Sequence, residues 1–61
     1  MNIKERREAL HISQAELAEK VGVDASTMCL YESGKRSPKI GTAFKIAEAL
    51  GCTVDELIKK Q

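Results

Sequence analysis

Signals that begin helices recur along this chain at short intervals, and they limit its fold more than any other feature. Ser13 with Glu16, and Thr53 with Glu56, each match the capping box, in which a hydroxyl and a carboxylate bind free N–H groups at a helix start. Asp24 suits the same capping position ahead of a further helix. The pattern predicts that a helix begins directly after each of these capping residues.

Two glycines mark where helices are expected to end. Gly34 and Gly51 each follow a helix-patterned run, at the position where a left-handed residue closes a helix. Asn2 with Glu5 gives a weaker start signal at the N-terminus, and Lys39 is a poor cap for the fourth helix. The alternation typical of strands does not occur. The sequence therefore predicts a compact all-α bundle of five helices, over residues 2–10, 14–20, 25–33, 40–50 and 54–60.

The run 14–31 has the spacing of two helices that cross at a tight turn. Ala18 lies where the helices approach closely, and Gly22 lies between them, where the turn needs a positive φ. Apolar residues that point inward are expected at Leu17, Val21, Val23, Met28 and Tyr31. In the fourth helix, apolar residues recur at helical spacing at Ile40, Ala43, Phe44, Ala47 and Leu50. A helix held out from the surface by such a turn fits the major groove of DNA, which is about 12 Å wide.

The size and composition of the chain exclude several classes of protein. Its 61 residues suffice for a single domain, residues 1–61, and leave no room for a small-molecule effector domain. No apolar run reaches the roughly 18 residues of a membrane span, so no membrane partner is expected. Cys29 and Cys52 match neither a disulfide framework nor a zinc site, which favours a reduced, cytoplasmic protein. No catalytic carboxylate pair, nucleophile–base pair or glycine-rich phosphate loop is evident, so we expect no enzyme and no cofactor or metal.

Three motifs give the chain a family resemblance from Ile3 to about Ile58: "SQAELAEKVGV", "YESGKRSP" and "KIAEALGCTVDEL". Through these motifs, the chain resembles the phage-repressor/Cro-like (XRE-type) helix-turn-helix domains. The resemblance implies a lambda-repressor-like fold of five helices, with the helix-turn-helix at about 14–33. Helix 2 would then brace the DNA backbone while helix 3 enters the major groove. Members usually bind two-fold operators as dimers and repress transcription.

The resemblance also implies roles for individual residues, carried over position by position. The base-reading positions of helix 3 would be Ala25, Ser26 and Leu30, with Cys29 alongside them. Residues implied to face DNA phosphates are Gln14, Thr27, Lys35, Arg36, Ser37 and Lys39. The family pairs an arginine of helix 1 with the acid that ends helix 3, which here are Arg7 and Glu32. We expect that pair to be partly buried and to fix the orientation of helix 3.

The base-reading face departs from the family, because many relatives carry Gln, Arg, Asn or Lys there. Ala25 and Leu30 can only contact thymine methyl groups, and Ser26 bonds several bases without much discrimination. In one interpretation, specificity comes from methyl contacts and from the shape and deformability of the DNA. In the other, helix 3 has become a surface for binding protein. Lys35 and Arg36, placed directly beyond the helix, favour phosphate contact and hence the first interpretation.

Three further residues have alternative interpretations. His11 lies where the family often has glycine; we expect a surface residue that closes helix 1, the alternative being a pH switch or a metal ligand. Cys29 is expected to be an exposed thiol, the alternative being a redox switch on the DNA face. Cys52 is expected to pack as a small apolar residue.

The sequence thus predicts a DNA-binding regulator of transcription that represses by occupying an operator. Its partners would be double-stranded operator DNA and a second copy of the chain, contacted through helix 5. Whether the dimer forms in solution or only on DNA is open at this stage. The alternative is a protein-interaction module on the same scaffold, antitoxin-like or adaptor-like, with weak or no DNA readout.

Overall fold

Five helices follow one another along residues 1–58, the part of the chain that the computed structural model describes. They are α1 (Ile3–Ala9), α2 (Gln14–Val21), α3 (Ala25–Ser33), α4 (Ile40–Leu50) and α5 (Val54–Ile58). The predicted helices begin and end within one residue of these bounds. The exception is the predicted end of the fifth helix at residue 60, which lies outside the described residues. The all-α fold class is confirmed.

The predicted caps account for the starts of three helices. The N–H of Glu16 donates to Ser13 Oγ at 3.0 Å, and the N–H of Ser13 donates to Glu16 Oε1 at 2.9 Å, which completes the capping box of α2. Thr53 makes the same exchange with Glu56 at the start of α5. Asp24 accepts the N–H of Thr27 at 3.0 Å at the start of α3. All three predictions are confirmed, and Lys39 makes no side-chain cap bond to α4, as expected.

The turn between α2 and α3 has the backbone that the sequence predicts. Gly22 has a φ of 87°, in the left-handed region where a side chain would be strained. Gly34 and Gly51 end their helices in the same region, as predicted. His11, with a φ of 58°, is the one residue other than glycine with a positive φ among those described. Its placement agrees with the expectation that it closes α1.

The core takes one fully buried side chain from every helix: Ile3, Leu17, Met28, Ile46 and Leu57. The predicted inward positions Val21 and Tyr31 are also buried, and Val23 packs against the core while partly exposed. Cys52 packs there too, which confirms its expected apolar role. Because the core side of α3 holds Met28 and Tyr31, the opposite side of that helix faces outward.

Helix α4 buries only some of the apolar residues that recur along it at helical spacing. Its buried residues are Ala43, Ile46, Ala47 and Leu50. Ile40 and Phe44 are instead 68% and 61% exposed. Two overlapping stripes of apolar residues occur in this helix, and only one of them can face the core. The helix buries the stripe that contains Ile46. Ile40 and Phe44 therefore lie outside the core.

The N-terminus also differs, because Asn2 makes no side-chain cap bond to α1. Its side chain is turned inward, at 4% exposure, and its Nδ2 donates to the carbonyl of Glu56 at 3.0 Å. The N–H of Asn2 donates to the carbonyl of Leu57 at 3.0 Å, and Arg6 Nε donates to Asn2 Oδ1 at 3.2 Å. Asn2 therefore joins the start of α1 to the end of α5.

Candidate nucleic-acid interface

The outward face of α3 carries all four residues that the family resemblance places at the base-reading positions. Ala25, Ser26, Cys29 and Leu30 are exposed, although Leu30 only at 38%. They recur at helical spacing opposite the buried Met28 and Tyr31, so they form one continuous strip. This strip offers methyl groups, a hydroxyl and a free thiol, and it contains no charged or amide side chain.

An ion pair ties α3 to α1. Arg7 Nε lies 2.7 Å from Glu32 Oε2, and Arg7 Nη2 lies 3.2 Å from Glu32 Oε1, which makes the pair bidentate. The two side chains are 11% and 5% exposed. The structure thus brings together the two residues that the resemblance pairs. The hydrogen bond to Glu32 raises the pKa of Arg7 above its ordinary value, so the arginine stays charged at any physiological pH.

Two bonds that sequence reasoning missed extend this pair into a network. Arg7 Nη1 donates to the carbonyl of Ile12 at 2.9 Å, in the segment between α1 and α2. Gln14 Nε2, in the first turn of α2, donates to Glu32 Oε1 at 3.3 Å. The Glu32 carboxylate therefore gathers donors from α1 and α2 onto the end of α3. Nothing in the local sequence indicates these contacts, since Gln14 and Glu32 are eighteen residues apart.

Helix α3 leads into a cationic segment, residues 35–39. The N–H groups of Lys35 and Arg36 both donate to the carbonyl of Leu30, at 3.1 and 3.3 Å, and hold the segment against the end of the helix. Lys35, Arg36, Ser37 and Lys39 are exposed. Within residues 1–58 no acid forms an ion pair with the three cations. The set that the resemblance assigns to phosphates thus includes three cations that form no ion pair with the described residues.

Thr27 lies on the flank of α3 and is partly buried. Hydrogen bonds from Thr27, by its side chain and its N–H, lower the pKa of Asp24 below its ordinary value of 3.8. Asp24 is therefore ionised at neutral pH. It places a negative charge at the start of the helix, where the resemblance also expects a phosphate at Thr27.

A shallow groove of about 370 Å³ lies beside the outward strip of α3. Its lining residues are Lys4, Arg7, Gln14, Cys29, Glu32 and Ser33. Lys4 and Ser33 are outside the predicted site. The sequence could have indicated that Ser33 lies on this face, because it follows Cys29 by four residues on α3.

We also searched the described residues for metal-binding clusters, disulfides and membrane-spanning helices. No cluster of His, Cys, Asp or Glu in residues 1–58 could hold a metal ion. Cys29 and Cys52 are free thiols. None of the helices in this range is long and apolar enough to cross a membrane.

The structure has the features of a helix-turn-helix DNA-binding domain. Helix α3 is exposed after a glycine turn, the Arg7–Glu32 ion pair holds it in place, and a cationic segment follows it. The sequence model of the helix-turn-helix family matches residues 3–57, and the chain belongs to that family. This family is one of DNA-binding regulators of transcription and not of enzymes.

Several relatives are known by name. The chain is 39% identical to the cryptic phage CTXphi transcriptional repressor RstR of Vibrio cholerae serotype O1, over 93% of this chain and 54% of the repressor. It is 47% identical to an uncharacterised HTH-type transcriptional regulator of Methanothermobacter thermautotrophicus, over 80% of this chain and 71% of that one. The chain thus spans about half the length of the RstR repressor.

A solved structure shares the fold. The P22 c2 repressor protein, crystallised in complex with a synthetic operator, superposes with a TM-score of 0.90 at 32% identity. The match covers 97% of this chain and 89% of the repressor chain. The expected lambda-repressor-like arrangement of five helices is thereby confirmed.

Proposed function

We propose that this chain binds double-stranded operator DNA and represses transcription by occupying the operator. The observation that carries the proposal is the exposed strip of α3 beside the three cations of the segment 35–39, which form no ion pair within residues 1–58. An exposed helix fits the major groove, and adjacent cations supply the phosphate contacts that dominate affinity. The operator complex of the P22 c2 repressor, which has the same fold, supports it further.

Base reading would depend on weak contacts. Ala25 and Leu30 can pack against thymine methyl groups, and Ser26 can exchange hydrogen bonds with several bases. Cys29 adds a small polarisable group in the middle of the strip. With no bidentate donor on this face, we expect much of the sequence preference to come from the shape and deformability of the DNA.

Phosphate contact would position the helix. Lys35, Arg36 and Lys39 are the cationic contacts, and the polar contacts are Gln14, Thr27 and Ser37. Gln14 lies in the first turn of α2, where free N–H groups attract anions. Its bond to Glu32 holds its side chain at that end of the helix. Contacts of this kind set the register of the protein on the duplex without reading its sequence.

The functional unit would be a homodimer with α5 in the contact between copies, acting in the cytoplasm. Leu57 of α5 is buried, whereas Ile58 is 51% exposed and available to a second copy. Two-fold operators suit such a dimer, because each copy then meets an equivalent half-site. The free thiols agree with a reducing compartment.

A second candidate function follows from the composition of the strip on α3. A face of Ala, Ser, Cys and Leu, without amide or cationic groups, also suits contact with a protein. An antitoxin-like or adaptor module would use this face and would need no DNA.

Enrichment of random duplex DNA by the purified chain at two salt concentrations separates these functions. The proposal predicts a two-fold symmetric motif that survives the higher salt. Uniform enrichment that disappears with salt would mean phosphate binding without readout. No enrichment at either salt, together with a co-purifying protein partner, would favour the second candidate.

Variants of the cations test the same surface. Lys35→Ala with Arg36→Ala should weaken DNA binding for all sequences alike, because these side chains contact phosphates. Lys20→Ala with Lys45→Ala is the matched control, since both lysines line a groove between α2 and α4. Equal affinity of the two double variants would contradict the proposed phosphate surface.

A further inference from the structure

The outward strip of α3 exposes mostly apolar groups. Its members are Ala25, Ser26, Cys29 and Leu30, and together they offer methyl groups, one thiol and one hydroxyl. No charged or amide side chain belongs to the strip. Such side chains are the ones that identify a base through paired hydrogen bonds. The strip can therefore enclose an apolar group on DNA, but it has little means of telling one hydrogen-bonding pattern from another.

One apolar group projects from the base edges into the major groove, and it is the methyl on C5 of thymine. Cytosine lacks this group, and methylation of cytosine at C5 places the same methyl at the same position of the base. The two methylated pyrimidines still differ, since thymine has the acceptor O4 and 5-methylcytosine has the donor N4–H₂. A hydroxyl can donate to O4 or accept from N4–H₂, so Ser26 tolerates either base.

We propose that the strip binds the C5 methyl of pyrimidines on 5-methylcytosine as well as on thymine, so that methylation of a cytosine facing the strip raises the affinity of this chain for DNA. The inference rests on the proposed operator binding through α3. It adds a chemical class of ligand, which is DNA methylated at cytosine C5. It also adds a means of regulating the site, through modification of the DNA and not of the protein.

The size of the strip determines how many methyl groups it can cover. Ala25 and Leu30 are five residues apart, which corresponds to about 7.5 Å along the helix. A base pair occupies about 3.4 Å of the duplex, so the strip faces about two or three base pairs. Successive residues advance by about 100°, which places Ser26 between Cys29 and Leu30 on the strip. Each half-site therefore has room for a methyl group on either side of the hydroxyl.

The strength of these contacts predicts a graded change in affinity and not an on–off switch. Burial of one methyl or methylene group changes affinity about fourfold. One covered methyl in each half-site should therefore change the affinity for a two-fold duplex about tenfold. The phosphate contacts, which dominate affinity, do not depend on the methylation of bases. An unmethylated operator would thus still be bound, but at lower occupancy.

Four versions of the selected two-fold duplex test the inference. They differ at one thymine position, the same in both half-sites, and each thymine is tested in turn. The first pair of duplexes carries thymine or uracil opposite adenine, and the second carries 5-methylcytosine or cytosine opposite guanine. Within each pair, the hydrogen-bonding groups are the same and only the methyl changes. A preference within a pair therefore measures the effect of the methyl, through contact or through DNA shape.

Variants of the chain separate contact from DNA shape. Leu30→Ala removes the largest apolar side chain of the strip, and Cys29→Ser makes an exposed group more polar at nearly the same size. Leu10→Ala, at the end of α1 and 49% exposed in the parent chain, is the matched control. Thermal melting verifies that each variant is folded at the temperature of the DNA titrations.

The parent chain and Leu10→Ala should show the same two preferences at one or more positions. Thymine should be bound about tenfold more tightly than uracil, and 5-methylcytosine about tenfold more tightly than cytosine. At a position covered by Leu30, both preferences should fall to about threefold or less in Leu30→Ala. At a position covered by Cys29, the same fall is expected in Cys29→Ser.

Three patterns would overturn the inference and leave operator binding standing. The first is equal affinity within both pairs at every position. The second is a methyl preference that both strip variants retain in full, because it would then come from the shape of methylated DNA. The third is a preference for thymine over uracil without one for 5-methylcytosine over cytosine. If none of the duplexes is bound, the proposed operator binding itself fails, and the inference fails with it.

Discussion

At the scale of single residues, the Glu32 carboxylate joins three helices at the candidate site. It accepts two hydrogen bonds from Arg7 and one from Gln14, and so fixes the end of α3 relative to α1 and α2. Removing two charges from water is unfavourable, and a buried pair gives little net stability compared with apolar residues of the same size. Its value here would be the fixed orientation of the reading helix.

Arg7→Ala should destabilise the chain by about 3 kcal/mol, because it leaves the Glu32 carboxylate buried without its partner. The variant should also lose DNA affinity beyond what partial unfolding explains. Thermal melting and DNA titration below the melting temperature measure the two effects. Lys20→Ala, an exposed change beside the groove between α2 and α4, is the control for charge. Unchanged melting and unchanged DNA binding of Arg7→Ala would contradict the role given to the pair.

A second variant separates charge from orientation. Arg7→Met with Glu32→Leu removes both charges and keeps an apolar filling, so it should melt closer to the parent chain than Arg7→Ala does. If the pair serves orientation, the double variant should still bind DNA less tightly than the parent chain. Full affinity in the double variant would assign the pair to stability alone.

At this scale, the sequence indicated only part of the site. Arg7 and Glu32 could be paired through the family resemblance. The bonds from Gln14 to Glu32 and from Arg7 to the Ile12 carbonyl could not, because they depend on how three helices meet. The exposure of Lys35 and Arg36 was predictable, since a cationic run beyond a capped helix rarely enters a core.

At the scale of helices, the side-chain caps explain why local sequence located the starts of α2, α3 and α5. Each cap joins residues three apart, so it depends on no distant contact. Which side of a helix is buried is a different question. In α4, two apolar stripes compete, and packing against the rest of the bundle decides between Ile46 and the pair Ile40 and Phe44. The sequence of α4 alone could not make that choice.

The capping carboxylates predict a loss of stability in acid. Bonds from the backbone and side chain of Ser13 lower the pKa of Glu16 below its ordinary value of 4.5, and Thr27 lowers that of Asp24 below 3.8. A pKa lowered by folding stabilises the protein above the unfolded value, and that contribution is lost as pH falls through the folded value. The free energy of unfolding should therefore be level near neutral pH and fall below about pH 4.5.

Urea melts across a pH series test this expectation. Glu16→Gln with Asp24→Asn keeps the capping oxygens and removes their titration. The double variant should lose part of the acid dependence and stay folded at neutral pH. An unaltered slope in acid would contradict the assignment to these two caps.

At the scale of the whole molecule, Asn2 joins the two ends of the described chain. Its side chain and its N–H bind the carbonyls of Glu56 and Leu57, near the end of a helix of five residues. So short a helix is not stable alone, and the two bonds from Asn2 tie it to the start of α1. The sequence suggested only a weak cap at Asn2, because a bond across fifty-four residues leaves no local pattern.

Asn2→Ala should destabilise the chain by about 1–2 kcal/mol through the lost side-chain bonds. Hydrogen exchange should locate the effect, with amides of α5 exchanging faster and amides of α2 changing only through global stability. Glu5→Ala, an exposed change in the same helix, should leave both unchanged. Equal acceleration in α2 and α5 would mean that Asn2 supports the whole fold and not α5 in particular.

The salt dependence of binding to the selected two-fold duplex tests the central proposal most directly. Under the proposal, Lys35, Arg36 and Lys39 would make three phosphate contacts per copy, and two copies should then give a slope of about −5 for log affinity against log salt. The predicted result is a slope near about −5 for the parent chain. In the double variant Lys35→Ala and Arg36→Ala, the slope should weaken to about −2. A slope near zero would contradict DNA binding through this surface.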